Sequence, residues 1–257
     1  MDSLNPENPP IETVSNPRRV WKFWGTVSWG LFVFAAMLIG QVVVVLLFVL
    51  EQKEATSIMD AIRVAASKGS TISLSVITGL PAVLLALWIA IRPTGTSFAD
   101  YLGLRWASWK DFLIGIAGLV VLVMGWDLLS RTTGRVVAPN FMIGVVTSAQ
   151  AEGVLAMLFV AFCVAAPISE EFFARGFLYR GWSESFLKVP GAIVLSSLVW
   201  TALHLQYNWY FFGEVFTLGL WFGYLRYRSG STWLTIILHG LNNLAAVLQT
   251  MWLAGHS

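Results

Sequence analysis

Apolar residues in this chain run in long, nearly uncharged blocks instead of alternating with polar ones. Seven blocks stand out, at about 23–50, 71–92, 111–130, 152–180, 190–207, 209–227 and 231–254. Each reaches or approaches the roughly 20 residues that a helix needs to cross hydrocarbon. Strands of a transmembrane barrel would be about ten residues long and would alternate with period two, and no block does so. The pattern predicts an all-α polytopic membrane protein of about seven transmembrane helices. The loop running from Phe98 to Trp106 is mildly amphipathic and is expected to lie at the membrane interface.

Ahead of the first block stands MDSLNPENPPIETVSNPRRV, rich in Pro, Asn and acids. It lacks the basic start and short apolar core of a cleaved signal peptide. Residues 1–20 are therefore expected to form a disordered cytoplasmic tail that stays on the protein. No repeat, long linker or low-complexity block divides the remainder of the chain, so 21–257 reads as a single transmembrane domain.

Composition removes the soluble alternative. With 57% hydrophobic and 12% charged residues and a mean hydropathy of +0.71, too little polar material remains to surface an ordinary globular domain. Many of the 13 Trp, among them Trp21, Trp106, Trp109, Trp209 and Trp252, fall near block edges, where amphipathic rings favour the headgroup level. The one cysteine, Cys163, cannot make an internal disulfide and reads as a small core residue.

Charge sets an orientation. With the tail in the cytoplasm, eleven Lys and Arg fall inside, Arg175 counted among them, and five fall outside: Lys53, Arg63, Lys68, Arg131 and Arg135. That bias favours a cytoplasmic N-terminus. The net charge of +2 thus reflects topology, and no basic run points to a nucleic-acid partner.

Candidate chemistry comes from the polar residues left inside the blocks, because an ionisable side chain in hydrocarbon is costly and usually functional. Asp127 has a simple excuse, with Arg131 four residues on, and Glu214 reads equally well as a structural partner or as a site-lining group. What remains is Glu170, Glu171 and Arg175 on the fourth block, His204 on the fifth, and His239, Asn242 and Asn243 on the seventh. Glu171 and Arg175 stand at i and i+4 and can pair on one helix face. Glu170, about 100° round the helix, is then free for chemistry. His239 and Asn243 are also four apart and should share a cavity, with Asn242 pointing elsewhere. Pro167 should loosen the fourth helix one turn before the acids and admit water. By helical rise Glu170 and His239 reach one depth, whereas His204 sits deeper than either unless its helix starts late.

Glu-Glu-x-x-x-Arg at Glu170, Glu171 and Arg175, an aromatic four before a histidine at Trp200 and His204, and His-x-x-x-Asn at His239 and Asn243 resemble the three motifs of a known family. It is that of the CAAX-processing and bacteriocin-processing (CPBP) intramembrane endopeptidases, which includes Rce1-type prenyl-protein proteases and bacterial Abi proteins. The resemblance covers about residues 150–250, so the catalytic core would lie in the last four predicted helices. Trp200 stands where the family usually has Phe, which keeps the aromatic character. The first three helices carry no matching motif.

The resemblance implies an intramembrane protease acting on a membrane-anchored peptide or protein, in an integral multi-pass protein of a prokaryotic plasma membrane. Glu170 and His204 would activate water, and His239 and Asn243 would serve the oxyanion; Glu171, Arg175 and Trp200 would support them. A cavity open to the cytoplasmic side and the lipid would suit a tethered chain end such as a prenylated C-terminus. Glu170, His204 and His239 would make a plausible His₂Glu zinc site. His-Glu-x-x-His is absent, however, and a metal-free glutamate mechanism is preferred. Two other classes remain open: a proton-coupled transporter using the same intramembrane acids and histidines, and a catalytically idle immunity or binding scaffold.

Overall fold

The structure is a computed structural model that describes residues 20–52 and 55–256. The expected disordered tail at 1–20 lies almost wholly outside the described residues. Among those described there are helices and no strand, giving an all-α polytopic membrane fold.

In chain order the helices are α1 (Phe23–Leu50), α2 (Ile58–Ser67), α3 (Gly69–Ile91), α4 (Phe98–Leu102), α5 (Trp109–Thr132), α6 (Asn140–Ala151), α7 (Leu155–Ser183), α8 (Lys188–Ala202), α9 (Trp209–Ser229) and α10 (Thr232–Ala254). Five of them, α1, α3, α5, α7 and α10, are long and apolar enough to cross a membrane. The 15-residue α8 and the more polar 21-residue α9 occupy the predicted fifth and sixth spans and pack among the others.

Three helices escaped the hydropathy pattern, one of them the five-residue α4 in the stretch read as an interfacial loop. The 10-residue α2 is opened by Ser57, whose side chain accepts from the Asp60 N–H, and the 12-residue α6 lies in a stretch with no charged residue. All three are too short for a span-length pattern to detect. Serine caps also start α4, α5 and α10, at Ser97, Ser108 and Ser231, satisfying N–H groups that a helix start leaves open.

Cross-links between helix ends define the two faces of the bundle. At one end Trp21 donates to the Ala90 carbonyl at 2.8 Å and Arg228 pairs with Asp111 at 2.9 Å, joining the start of α1 to the end of α3 and the end of α9 to the start of α5. At the other, Gln249 donates to Asp127 at 2.9 Å, Ser130 bonds Tyr210 at 3.0 Å, and Glu152 accepts from the first N–H groups of α3.

α7 is not a regular helix. Residues Ala161–Ala165 and Phe172–Leu178 are π-helical, flanking an α-helical turn that holds Pro167, Glu170 and Glu171. Pro167 has no N–H, so the carbonyls one turn before it lose their helical partner. The Asn243 side chain donates to the Phe162 carbonyl at 2.8 Å. Gly240 faces the Cys163 carbonyl so closely that a Cβ there would stand 2.6 Å from the oxygen. α10 therefore docks on the strip of α7 backbone that the proline opens.

Candidate active site

Glu170 and Glu171 leave α7 on different faces and meet different surroundings. Glu171 and Arg175 are both fully buried, and Arg175 Nη1 donates to Glu171 Oε1 at 3.0 Å. Arg175 Nη2 reaches the Gly219 carbonyl of α9 at 3.0 Å, and its guanidinium lies 4.4 Å from the centroid of the Trp200 ring. His239 Nδ1 approaches the same Glu171 oxygen at 3.1 Å. One carboxylate thus ties α7 to α10 directly and to α8 and α9 through its arginine.

Glu170 faces a cavity of about 320 Å³. Its side chain keeps 19% of its exposure, and its Oε2 accepts from the Trp200 indole N–H at 2.6 Å. Trp200 lies between two imidazoles, its ring centroid 5.2 Å from that of His204 and 5.2 Å from that of His239, both in edge-on contact.

The hydrogen-bond partners decide which nitrogen of each histidine carries its hydrogen. His204 Nδ1 faces the Trp200 carbonyl at 3.0 Å, and a carbonyl only accepts, so Nδ1 donates and Nε2 keeps its lone pair. His239 Nδ1 likewise donates to Glu171. Its Nε2 lies 3.9 Å from Glu170 Oε2 and can donate only when the ring is doubly protonated.

The structure brings Glu170, Trp200, His204, His239 and Asn243 onto one cavity wall and keeps Glu171 and Arg175 behind it. α8 stops at Ala202, and residues 203–206 form turns. His204 therefore hangs past a helix end, where the sequence pattern expected helix through 207, and it shares the cavity with Glu170 and His239 despite the depth mismatch. Asn242 also lines the cavity, against expectation, and donates to Asn243 at a long 3.4 Å. Asp127 is paired with Arg131 at 2.9 Å, as its spacing suggested. Arg175 is buried in the bundle and does not belong to the cytoplasmic charge set.

Sequence reasoning missed most of the outer wall, to which Gln41, Ser75, Phe141, Gln206 and Gln249 contribute. Gln41 had a signal, being the lone amide side chain of the 28-residue α1. The others sit near helix ends, where polarity is unremarkable. These residues place the mouth at the end of the bundle where α1 stops and α3 starts, whereas an opening on the tail's side was expected. Glu170, Trp200, Leu218 and His239 lie deepest, above a buried layer that includes Phe172, Phe177 and Leu225.

Zinc would need Glu170, His204 and His239 to converge on one point. Among the described residues no three His, Cys, Asp or Glu are grouped so as to hold a metal ion. His239 Nδ1 is engaged with Glu171 and Glu170 Oε2 with Trp200, so His204 Nε2, His239 Nε2 and the second Glu170 oxygen are the atoms that would hold such an ion.

Residues 152–245 match the family model described as Type II CAAX prenyl endopeptidase Rce1-like. Over this segment the chain is similar to the Rce1-like family. No curated protein and no solved structure matches the chain. The Rce1-like segment opens just before α7 and closes within α10, so it holds every motif residue and the whole buried ion pair. It excludes α1 to α6, which supply Gln41, Ser75 and Phe141 to the cavity wall. The matched family is one of CAAX-type proteases.

Proposed function

We propose that this protein is an intramembrane endopeptidase that hydrolyses a peptide bond of a membrane-anchored peptide or protein, with Glu170 and His204 activating water and no metal in the reaction. The observation that carries this reading is the division of labour between neighbouring carboxylates. Glu171 is locked in a buried ion pair, and Glu170 looks into the cavity with one oxygen held by Trp200 and the other without a hydrogen-bond partner among the described residues.

A water in the cavity would donate one hydrogen to the free Glu170 oxygen, while the lone pair on His204 Nε2 accepts the other and orients the molecule. As the water oxygen bonds to the peptide carbon, its proton passes to Glu170 and the carbonyl electrons move onto oxygen. Asn243 Nδ2, which gives one hydrogen to the Phe162 carbonyl, has a second for that oxyanion, and His239 Nε2 adds a donor when its ring is an imidazolium. Collapse breaks the carbon–nitrogen bond, and the proton held by Glu170 leaves with the amine. One water is consumed, and one acid and one amine are formed.

The test is cleavage of membrane peptides by reconstituted protein. Glu170→Ala and His204→Ala should each abolish cleavage while remaining folded and stable in detergent; activity retained in either overturns the mechanism. Retained cleavage by Glu170→Ala together with lost proton or solute movement would favour a transporter. Elemental analysis of the purified active protein should find no stoichiometric zinc, and finding it would overturn the metal-free reading. Mass spectrometry of the membrane peptides that accumulate when Glu170 is replaced would identify the substrate and show whether it is prenylated.

A further inference from the structure

The cavity mouth and the basic end of the bundle lie on opposite faces. At the closed end, Lys22, Arg92, Lys110, Arg180 and Lys188 outnumber the acids Asp100, Asp111 and Glu184, and Arg18 and Arg19 precede α1 in the sequence. At the mouth end, Arg63, Lys68, Arg131 and Arg135 are balanced by Glu51, Asp60, Asp127 and Glu152. Setting Arg175 aside as a buried side chain removes one residue from the basic set and leaves the bias intact. Cytoplasmic loops carry the excess of Lys and Arg, so the closed end faces the cytoplasm.

We propose that the cavity is loaded from the non-cytoplasmic face, and that its substrate is a membrane-anchored chain whose cleavable segment emerges from the bilayer on that side. Nothing in the cavity wall comes from the cytoplasmic half of α1 or α3, or from residues 232–238 at the cytoplasmic start of α10. The buried side chains of Phe172, Phe177 and Leu225 lie between Glu170 and the cytoplasmic end. The proposal rests on the peptidase reading for the nature of the cargo, and not for the side from which the cargo comes.

Two arms test it in sealed vesicles of known sidedness, with Cys163→Ser as background. With the cytoplasmic face inward, a membrane-impermeant maleimide should label Gln206→Cys at the exposed mouth and should reach Lys110→Cys only after detergent. The reverse pattern overturns the proposal. In the same vesicles, a fluorogenic peptide tethered to outer-leaflet lipid should be cleaved by the native protein and not by Glu170→Ala. Cleavage confined to inverted vesicles also overturns the proposal. Correct labelling with no cleavage from either side overturns the peptidase reading and supports the orientation.

The mouth also carries an unpaired acid. Glu214, near the start of α9, lines the cavity, and its carboxylate has no hydrogen bond or ion pair among the described residues. Its acidic neighbour Asp127 is satisfied by Arg131 and Gln249, both at 2.9 Å. Among the described residues no Lys or Arg lines the cavity, and an unpaired carboxylate in a partly apolar wall is costly unless it is neutralised, which an arriving cation would do. On the peptidase reading, we infer that Glu214 is a specificity-determining residue that receives a Lys or Arg side chain of the bound peptide on the mouth side of the scissile bond.

Matched peptides with Lys, Gln or Glu at each flanking position test this. The native protein should prefer Lys by about tenfold or more in kcat/KM, the discrimination that about 1.4 kcal/mol supplies. Glu214→Gln should erase the preference and Glu214→Lys should turn it toward Glu, whereas Asp127→Asn should leave it in place. Cleavage without a charge preference, or a preference that survives Glu214→Gln, overturns the assignment. If no peptide is cleaved by the native protein, the peptidase reading itself fails.

Discussion

The indole N–H of Trp200 donates to Glu170 Oε2 at 2.6 Å, a contact that a phenylalanine in its place could not make. Trp200 therefore brings a polar handle as well as bulk to an aromatic wall. The same ring covers the Arg175 guanidinium and separates His204 from His239. Trp200 thus couples the buried ion pair to the carboxylate that faces the cavity.

Trp200→Phe should keep the ring over Arg175 and release the Glu170 oxygen. A hydrogen bond to a charged group contributes about 1.5–3 kcal/mol, so kcat should fall by about 10- to 100-fold with KM little changed. Steady-state kinetics on a membrane peptide reads that split. An equal loss in both constants would point to general damage in the cavity wall.

Arg175→Ala should destabilise the protein by about 3–5 kcal/mol, because it strands the buried Glu171 carboxylate. Thermal unfolding in detergent measures this. Replacing both partners, Arg175→Met with Glu171→Gln, should recover part of the loss, since the uncompensated charge goes with them. Activity should stay low in both variants, because His239 loses the carboxylate that holds its ring.

Asn243→Ala removes two things at once. The Phe162 carbonyl loses the donor that Pro167 denied it, which costs about 1–3 kcal/mol of stability. The oxyanion also loses a donor, which costs about 10² to 10³ in rate. Asn242→Ala, whose one bond is a long 3.4 Å, should cost far less on both counts. A rate loss for Asn243→Ala no larger than for Asn242→Ala would remove Asn243 from the chemistry and leave it as a helix tie.

Gly240→Ala should lower both the unfolding temperature and the activity. Its Cβ would stand 2.6 Å from the Cys163 carbonyl, and backbone cannot yield as a side chain can, so α10 must move and take His239 and Asn243 with it. Gly125→Ala is the control: nothing lies within 4 Å of its Cβ position, and in a helix the change should be neutral or stabilising by up to about 1 kcal/mol.

Glu152 links stability to pH from outside the membrane-spanning segments. Burial pushes its carboxyl up, but hydrogen bonds from Ser148, Ser70 and Gly69 outweigh that and hold it below its ordinary value of 4.5. A carboxyl depressed in the folded state adds stability that is fully present above 4.5 and is lost as pH falls through the lower folded value. The unfolding temperature of Glu152→Gln should therefore lie below that of the native protein at neutral pH, and the gap should close in acid.

Hydropathy and spacing alone determined the helical membrane class, the place of the long spans, and the separation of Glu171 with Arg175 from Glu170. Those are properties of one helix, and a one-dimensional pattern with the helical period contains them. Short helices such as α2 and α6 fell below that resolution. The end of α8 before His204 was hidden because an apolar turn and an apolar helix look alike in hydropathy. The side of the mouth, the use of Asn243 on the Phe162 carbonyl, the bond from Trp200 to Glu170 and the exposure of Gln41 and Glu214 to one cavity were decided by tertiary structure. Each depends on how far one helix sits along and around its neighbour, and that offset is set by packing contacts between residues distant in the chain.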